Sequence, residues 1–352
     1  MKATIKDVAK LAGVSFKTVS RVINREPSVG EELQERVWAA IKELNYQPNI
    51  SARQLRGAAS FIAFIYDNPN SHYVIEMQHG LLAECRAQGY ELLIHPLAAG
   101  SGDTMADLEQ LLSTGHIAGL VLTPPFSENP ELIAALRERK LPFVRIVSGS
   151  SDPAEPEPCI YVDDYQAAFD ITDYLAGLGH RRIAFLGGED IHRSSVERRH
   201  GYLAALAEHG IDEDPALIVP GEFNFDSGAD RTRRLLAMQP RPTAIFAAND
   251  EIAAGALFSA RINQVAVPQE LSIVGFEDSP FSRQTWPKLT TAHQPNGDIA
   301  GSAASHLIAS IRASRNGSAA SHQDSPDSDA SLPDNGFRPQ LVVRDSTCPA
   351  PQ

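Results

Sequence analysis

Ile5-Lys6-Asp7-Val8-Ala9-Lys10-Leu11-Ala12-Gly13-Val14-Ser15 reads as a short amphipathic helix, a glycine turn and a serine cap for a second helix from Phe16 to Asn24. Thr4 can cap the first helix, with Asp7 three residues on in a capping-box arrangement. Val8, Ala9 and Ala12 fall on one face and Val19, Val22 and Ile23 on the inner face of the second helix. Lys17, Arg21 and Asn24 then share its outer edge at i, i+4 and i+7. Ser28-x-x-Glu31 predicts a further capping box, opening a third helix through Val37, Trp38, Ile41 and Leu44, with Trp38 as the core aromatic. Three short helices with a polar outer edge describe a helix-turn-helix headpiece.

Charge agrees with that reading. Residues 1–57 hold ten Lys/Arg against six Asp/Glu, which is +4 and leaves −17 for the remainder of a chain whose net charge is −13. A basic head on an acidic body suits a head that meets phosphate while the body is repelled from it. Behind the headpiece, Tyr46-Gln47-Pro48-Asn49-Ile50-Ser51-Ala52-Arg53-Gln54-Leu55-Arg56-Gly57 forms an arm. Asn49 can cap a helix that Gly57 ends, but so short a helix is not stable alone in water.

With 352 residues and 43% hydrophobic content, the chain can bury two or three cores. From Phe61 onward strand and helix alternate. Strands are predicted at 61–66, 90–95, 117–123, 142–147, 159–162, 182–187, 216–220, 243–248 and 271–276. Helices are predicted near 73–88, 103–114, 129–139, 165–178, 195–209, 227–237 and 250–262. This alternation implies parallel sheets covered on both faces, split into two doubly wound subdomains with a joint near Asp163 and a ligand site at the carboxyl ends of the strands. Residues 289–295 look extended, 296–313 helical, 314–336 a polar low-complexity mobile loop, and Gln340–Val343 a last strand.

Cys85, Cys159 and Cys348 are odd in number, widely spaced and without a C-x-x-C pair, as expected of reduced cytoplasmic thiols. No apolar leader is present, and runs such as Phe61–Tyr66 and Ile117–Leu122 are far shorter than a membrane span. A soluble, cytoplasmic protein without membrane contact is expected. No G-x-x-x-x-G-K, G-x-G-x-x-G, G-x-S-x-G or H-E-x-x-H occurs, and the eleven histidines show no metal-ligand spacing. The expectation is a non-enzyme with no cofactor and no metal. His180, in Gly179-His180-Arg181-Arg182, reads as a loop residue before a strand.

The strings Ile5 to Ser15, Thr18-Val19-Ser20-Arg21-Val22-Ile23-Asn24, Leu44-Asn45-Tyr46-x-Pro48-Asn49 and Ala52-Arg53-x-Leu55 resemble the signature of the lactose-repressor/galactose-repressor (LacI/GalR) family. The resemblance continues through Leu178–Ala184, Ala248-Asn249-Asp250, Ser272–Phe276 and Leu289-Thr290-Thr291 to Leu341–Thr347, leaving out only the 314–336 loop. It implies an all-α helix-turn-helix headpiece on an α/β body whose two doubly wound parallel-sheet subdomains resemble periplasmic binding proteins. The implied division is a headpiece at 1–45, a hinge helix and linker at 46–59, an N-terminal effector subdomain of 60–162 plus about 292–315, a C-terminal effector subdomain of 163–291 plus about 337–347, and a flexible loop at 316–336.

The resemblance also implies a transcriptional repressor of carbohydrate-use genes that binds a near-palindromic double-stranded operator as a homodimer. Its partners are then the operator and a small sugar, a mono- or disaccharide, in the cleft of the body. Phe16 and Lys17 occupy the positions that choose operator bases in similar proteins, and Arg21 can fork onto guanine O6 and N7. Lys17 and Arg21 touching only phosphates is the alternative. Thr4, Ser15, Thr18, Ser20, Asn24, Asn49, Ala52, Arg53 and Arg56 complete the expected DNA contacts. Leu55 resembles the family's minor-groove wedge, which kinks the duplex, with a capping contact against the body as its alternative.

For the effector the resemblance implies Arg198, three residues before Gly201, together with Asn249, Glu277 or Asp278, and the rings of Tyr73 and Phe223. For each, an ion pair, a helix cap or packing is the competing role. Glu277 departs from the family's usual aspartate, and Val147 stands where several relatives place a ligand-binding aspartate. No C-terminal leucine heptad is present, so a dimer rather than a tetramer is expected. Competing readings are a regulator needing a non-sugar corepressor, a sugar-binding module without DNA specificity, and a nucleotide-dependent α/β enzyme, the last disfavoured by the missing phosphate loops.

Overall fold

The computed structural model describes residues 3–23, 29–44, 46, 61–67, 71–97, 104–113, 116–149, 157–315 and 335–351. The chain divides into two compact units, residues 1–60 and 61–352.

In the first unit α1 spans Ile5–Ala12, α2 Phe16–Ile23 and α3 Glu31–Glu43. The Thr4–Asp7 capping box is present, with Asp7 Oδ2 accepting from the Thr4 N–H at 2.8 Å and the Thr4 hydroxyl at 2.7 Å. These bonds hold the Asp7 carboxyl below its ordinary range. Gly13 ends α1 at φ 65°, where an L side chain is strained, and an added Cβ would come 2.8 Å from the Arg36 guanidinium. That guanidinium donates to Ala12 O at 2.7 Å, tying α3 to the turn. Val8, Ala9, Ala12, Val19, Val22, Val29, Val37 and Ala40 form the core, a set of small side chains that lets three short helices approach closely.

Two expectations fail here. α3 begins at Glu31 with Gly30 as its N-cap in extended backbone, and Ser28 lies outside the described residues, so the predicted Ser28–Glu31 box is replaced by a glycine cap. Trp38 is 43% exposed rather than the core aromatic. The inward stripe of α3 is Val37, Ala40, Ile41 and Leu44, and Trp38 stands about 100° around the helix from Val37.

In the second unit the strands are β1 Phe61–Tyr66, β2 Glu91–Pro96, β3 Ile117–Leu122, β4 Phe143–Ser148, β5 Cys159–Val162, β6 Ile183–Leu186, β7 Ile218–Val219, β8 Ala244–Ala247, β9 Ser272–Val274, β10 Thr291–His293, β11 Gly336–Phe337 and β12 Gln340–Val342. The helices are α4 His72–Gln88, α5 Thr104–Ser113, α6 Pro130–Glu138, α7 Asp164–Gly177, α8 Arg193–Glu208, α9 Phe225–Leu236, α10 Asp250–Ile262, α11 Pro280–Gln284 and α12 Asn296–Arg315. Parallel strands in the order β11-β5-β4-β3-β1-β2 make one sheet and β7-β6-β8-β9 the other, while β10 and β12 form an antiparallel ribbon. β1, β3, β5, β6 and β8 are almost wholly buried, as their unbroken apolar runs require when helices cover both faces of a parallel sheet, and β4 is buried too, with its Arg145 donating from Nε to Ser127 O at 2.6 Å.

Each large sheet reverses its strand order once, between β1 and β3 and between β6 and β8. At such switch points the connections leave in opposite directions and open a crevice at the strand carboxyl ends. Asp67 and Thr123 follow β1 and β3, and Ala248 and Asn249 follow β8. α8 presses on α7 closely enough that a Cβ on Gly201 would come 2.1 Å from Tyr165 O, so only glycine fits. That approach brings the middle of α8 to the amino end of α7.

Some boundaries differ from the pattern. The predicted strand 216–220 shrinks to β7 because Asp214 caps a 3-10 turn at Pro215–Leu217, accepting from Ala216 N–H. The predicted loop 314–336 overlaps ordered structure at both ends: α12 runs to Arg315, and β11 joins β5, with Tyr161 N–H donating to Asn335 O. Residues 316–334 lie outside the described residues.

Candidate functional site

Two surfaces collect the residues singled out in the sequence. On the first unit α2 buries Val19 and Val22 and turns Phe16, Lys17 and Arg21 outward. Ser15 caps α2, its Oγ accepting from Thr18 N–H at 3.1 Å and lying 2.9 Å from the Thr18 hydroxyl. Ser15 and Thr18 are therefore partly committed to holding the helix start, and Ser20 is half-buried beside them. Thr4 is exposed at the start of α1, its hydroxyl engaged with Asp7. Asn24, Asn49, Ala52, Arg53, Leu55 and Arg56 lie outside the described residues.

In the second unit a cleft gathers Tyr73, Arg198, Phe223, Asn249 and Glu277, with Val147 on its wall. Apolar walls with a few convergent polar groups are the make-up of a small-molecule site. Arg198, on α8, donates from Nε to Asp164 Oδ1 at 2.8 Å and from Nη1 to Ala248 O, and its guanidinium lies 3.7 Å over the Phe276 ring. Asp164 in turn accepts from the Ser148 hydroxyl through Oδ2. An arginine so held is rigid, and its Nη2 has no hydrogen-bond partner among the described residues, so a fixed donor is left at the cleft.

Asn249 takes the helix-cap role and also lines the cleft. Its Oδ1 caps α10 by accepting from Ile252 N–H at 2.8 Å, and its Nδ2 donates to Phe223 O at 3.3 Å, which fixes the loop carrying the Phe223 ring. His192 meets that ring edge to face at 5.5 Å. Burial, with Arg198 adding to it, lowers the His192 pKa against the pull of Asp67, favouring the neutral imidazole.

Glu277 adopts φ 98° and Asp278 φ 57°, backbone that non-glycine residues enter at a cost of about 1–3 kcal/mol each and that clusters at functional sites. Glu277 is held there by its N–H donating to Ala292 O at 2.8 Å. Burial, opposed by Arg198 but assisted by Asp250, pushes its carboxyl up to about 8. At neutral pH Glu277 therefore offers a hydroxyl donor as well as an acceptor. Burial likewise pushes Asp250, behind it, up to about 7 against hydrogen bonds from Thr291 and Ser279. It also raises the Tyr73 hydroxyl, reinforced by Asp164 and Glu277.

Asp278 is not part of this cleft. Its Oδ1 accepts from Ser282 at 2.7 Å and Arg344 at 2.6 Å, Oδ2 meets His293 at 3.2 Å, and it lines a neighbouring pocket with His72 and Arg283. Burial opposes ionisation, but the Ser282 and Arg344 bonds outweigh it and hold the carboxyl low. Of the two candidate carboxylates, Glu277 faces the cleft.

Sequence reasoning missed Asp164 and Ser148, which set the angle of Arg198, and the lining residues Asp67, Thr123, His192, Ser194 and Gln294. Their common signal is position: Asp67, Thr123 and Ser148 close or follow parallel strands, and Asp164 opens the helix after one. Among the described residues no cluster of His, Cys, Asp and Glu is placed to hold a metal, and no helix is long and apolar enough to cross a membrane.

Comparison with known proteins identifies both units of the chain. The family model of bacterial regulatory proteins of the lacI family matches residues 4–49, and that of the periplasmic binding protein-like domain matches 172–347. The HTH-type transcriptional repressor PurR of Aliivibrio salmonicida is 33% identical over 312 residues, covering 88% of this chain and 92% of that protein. The repressor of the same name from Pectobacterium carotovorum is 33% identical over 315 residues, 89% and 92% of the two chains. Among solved structures, a transcriptional regulator CelR–cellobiose complex superimposes with TM-score 0.70 at 28% identity, covering 98% of this chain and 99% of that one. The Lac repressor bound to ONPG in the repressed state gives TM-score 0.70 at 25% identity, covering 99% and 100%. A lacI-type headpiece, a body of two parallel-sheet subdomains and relatives matched over nearly their whole length leave one assignment: the chain belongs to the LacI family of DNA-binding transcriptional regulators.

Proposed function

We propose that this regulator is a dimeric repressor that places α2 of each protomer in the major groove of a near-palindromic operator and releases it in response to a small uncharged ligand in the cleft. The observation that carries the reading is Arg198, a rigid donor aimed into a cleft flanked by the Tyr73 and Phe223 rings and a Glu277 carboxyl that both donates and accepts. Hydroxyl-rich rings need such paired donors and acceptors with a flat apolar face, and a sugar is the ligand class proposed. The cellobiose complex of a neighbour with the same fold supports it. Subdomains divided at 60–162 with 292–315 and at 163–291 with 337–347 would close over the ligand.

A second reading, a flat non-sugar corepressor, is favoured by the apolar part of the wall, where Val74, Ile146, Val147 and Val162 leave no polar anchor. The dimer is supported by Phe258, Ile262 and Trp286, which stand 50%, 66% and 82% exposed on and near a groove lined by Phe225, Leu257, Val265 and Phe281. Apolar surface of this kind marks an interaction face, and a second copy is the partner proposed. The test is operator binding by the full chain with a panel of neutral sugars and non-sugar metabolites. Release by a sugar supports the first reading, operator binding that requires a non-sugar supports the second, and insensitivity to the entire panel contradicts both.

A further inference from the structure

Arg231, on α9, is buried, yet among the described residues its side-chain hydrogen bonds all go to backbone carbonyls. Nε donates to Ser227 O on its own helix at 3.0 Å, Nη1 to Gly187 O at 2.6 Å and Val219 O at 2.9 Å, and Nη2 to Glu222 O at 3.1 Å. The nearby Glu222 carboxylate is taken up by Asn224 Nδ2 at 2.6 Å. A buried guanidinium without a carboxylate is a costly way to fill a core, because an apolar side chain of similar volume gives up no hydration. Burial accordingly pulls the Arg231 pKa down to about 10, with Glu222 opposing. The three segments that it joins explain the arrangement. Gly187 opens the loop from β6 to α8, Val219 ends β7, and Glu222 precedes Phe223. The Phe223 ring lies on Gly188, where a Cβ would overlap it, and meets His192 at the end of the same loop.

We propose that Arg231 is the positioning residue for the aromatic wall of the cleft, joining Gly187, Val219 and Glu222 so that the Phe223 ring stands against His192 before any ligand arrives. The inference rests on the reading of the cleft as the ligand site. Asn249 holds the Phe223 carbonyl from one side and Arg231 holds the preceding carbonyl from the other, so the ring's base is fixed at two successive residues. A ring already ordered need not be immobilised by the ligand that lies on it, and the affinity is higher by that ordering cost. Arg231 touches no ligand itself and acts through Phe223.

His192 reports the position of the ring in the full-length protein without any ligand. NMR of histidine-labelled protein, with the His192 signal assigned by its loss in His192→Gln, reads both the ring-current displacement from Phe223 and the titration of the imidazole. In the parent that titration lies below 6.5 because of burial, with Arg198 assisting and Asp67 opposing. Phe223→Leu sets the signal expected when the ring is gone. Arg231→Met should move His192 toward that signal, losing the ring-current displacement and titrating nearer 6.5, and Arg231→Lys, which keeps the charge but not the fork, should fall between. Gly221→Ala perturbs the clamp without removing it, since its Cβ would come 3.0 Å from Arg231 Cζ and Nε, and should shift His192 in the same direction. An arginine with a merely structural role would lower stability without moving His192 in the folded protein. An unmoved His192 in Arg231→Met, or in Gly221→Ala where Arg231→Met does not fold, would overturn the inference and leave the cleft's ligand-site reading intact. A cleft that takes no small molecule would instead remove that reading, and this inference with it.

Discussion

Arg198 and Asp164 form a buried ion pair, Nε to Oδ1 at 2.8 Å, with side chains only 6% and 3% exposed. The pair joins the middle of α8 to the amino end of α7, and through the Ser148 hydroxyl it reaches the end of β4 in the other sheet. Its geometry makes it part of the body's architecture as well as of the cleft. Removing one partner would strand a charge in a region where water cannot replace it.

Asp164→Ala is therefore expected to destabilise the body by about 3–5 kcal/mol, the usual cost of leaving half of a buried pair. Ser148→Ala should cost about 1 kcal/mol, because a hydrogen bond is lost but the ion pair remains. Denaturant unfolding followed by circular dichroism measures both. Equal effects would show that the pair carries no special weight.

The raised carboxyl of Glu277 predicts a pH dependence with a definite sign. Its folded value of about 8 lies above the ordinary 4.5, so the folded state binds the proton more tightly than the unfolded state. The stability linked to it is fully present below about 4.5 and is lost as pH rises through about 8. Glu277→Gln, which keeps the shape and removes the ionisation, should exceed the parent at pH 9 by roughly 2 kcal/mol once partial exposure is allowed for. Thermal melts of both proteins from pH 5 to 9 give the comparison. Parallel curves would contradict protonation of Glu277 near neutrality.

Glu128 ties the end of β4 to the start of α8, with Oε1 accepting from Ser148 N–H at 3.3 Å and Oε2 from Arg193 N–H, at the first residue of α8, at 3.2 Å. Glu128→Ala removes an acceptor from a helix start and should cost about 1 kcal/mol, with faster amide exchange confined to residues near 192–197. Glu128→Gln, which keeps an acceptor, should recover part of the protection. Unchanged exchange in Glu128→Ala would show that the contact does not hold the helix start.

Trp286 is 82% exposed, so Trp286→Asp should leave the fold intact. If its face joins two copies, the substitution buries a charge at the interface and should weaken dimerisation by more than about 30-fold, using 2 kcal/mol as a modest hot-spot value. Sedimentation velocity across a concentration series reads this directly. An unchanged dimer constant would move the interface elsewhere.

The headpiece and the alternation of the body were legible in the sequence because their signals are local: a capping box, a glycine at φ 65°, and buried runs such as Phe61–Tyr66. Trp38 shows the limit of such reading, since one step around α3 decides between core and surface and hydrophobicity alone does not reveal which. β11 was hidden because two residues bordering a polar stretch gain their order from pairing with distant β5. In the cleft, Arg198, Asn249 and Glu277 could be named from their sequence neighbours Gly201, Asp250 and Gly275-Phe276, and all three line it. Asp164 could not, because its role depends on a contact across 34 residues that only the packing of α7 on α8 creates. The choice between Glu277 and Asp278 likewise needed Arg344, which arrives from the far end of the chain to occupy Asp278.

Sequence reading by α2 is tested by selecting bound duplexes from random DNA with the full-length protein. The predicted result is a near-palindrome with a guanine whose preference Arg21→Ala flattens by about 10-fold, the worth of one forked contact. Failure to enrich any sequence at low salt, or a uniform loss across all sequences in Arg21→Ala, would contradict it.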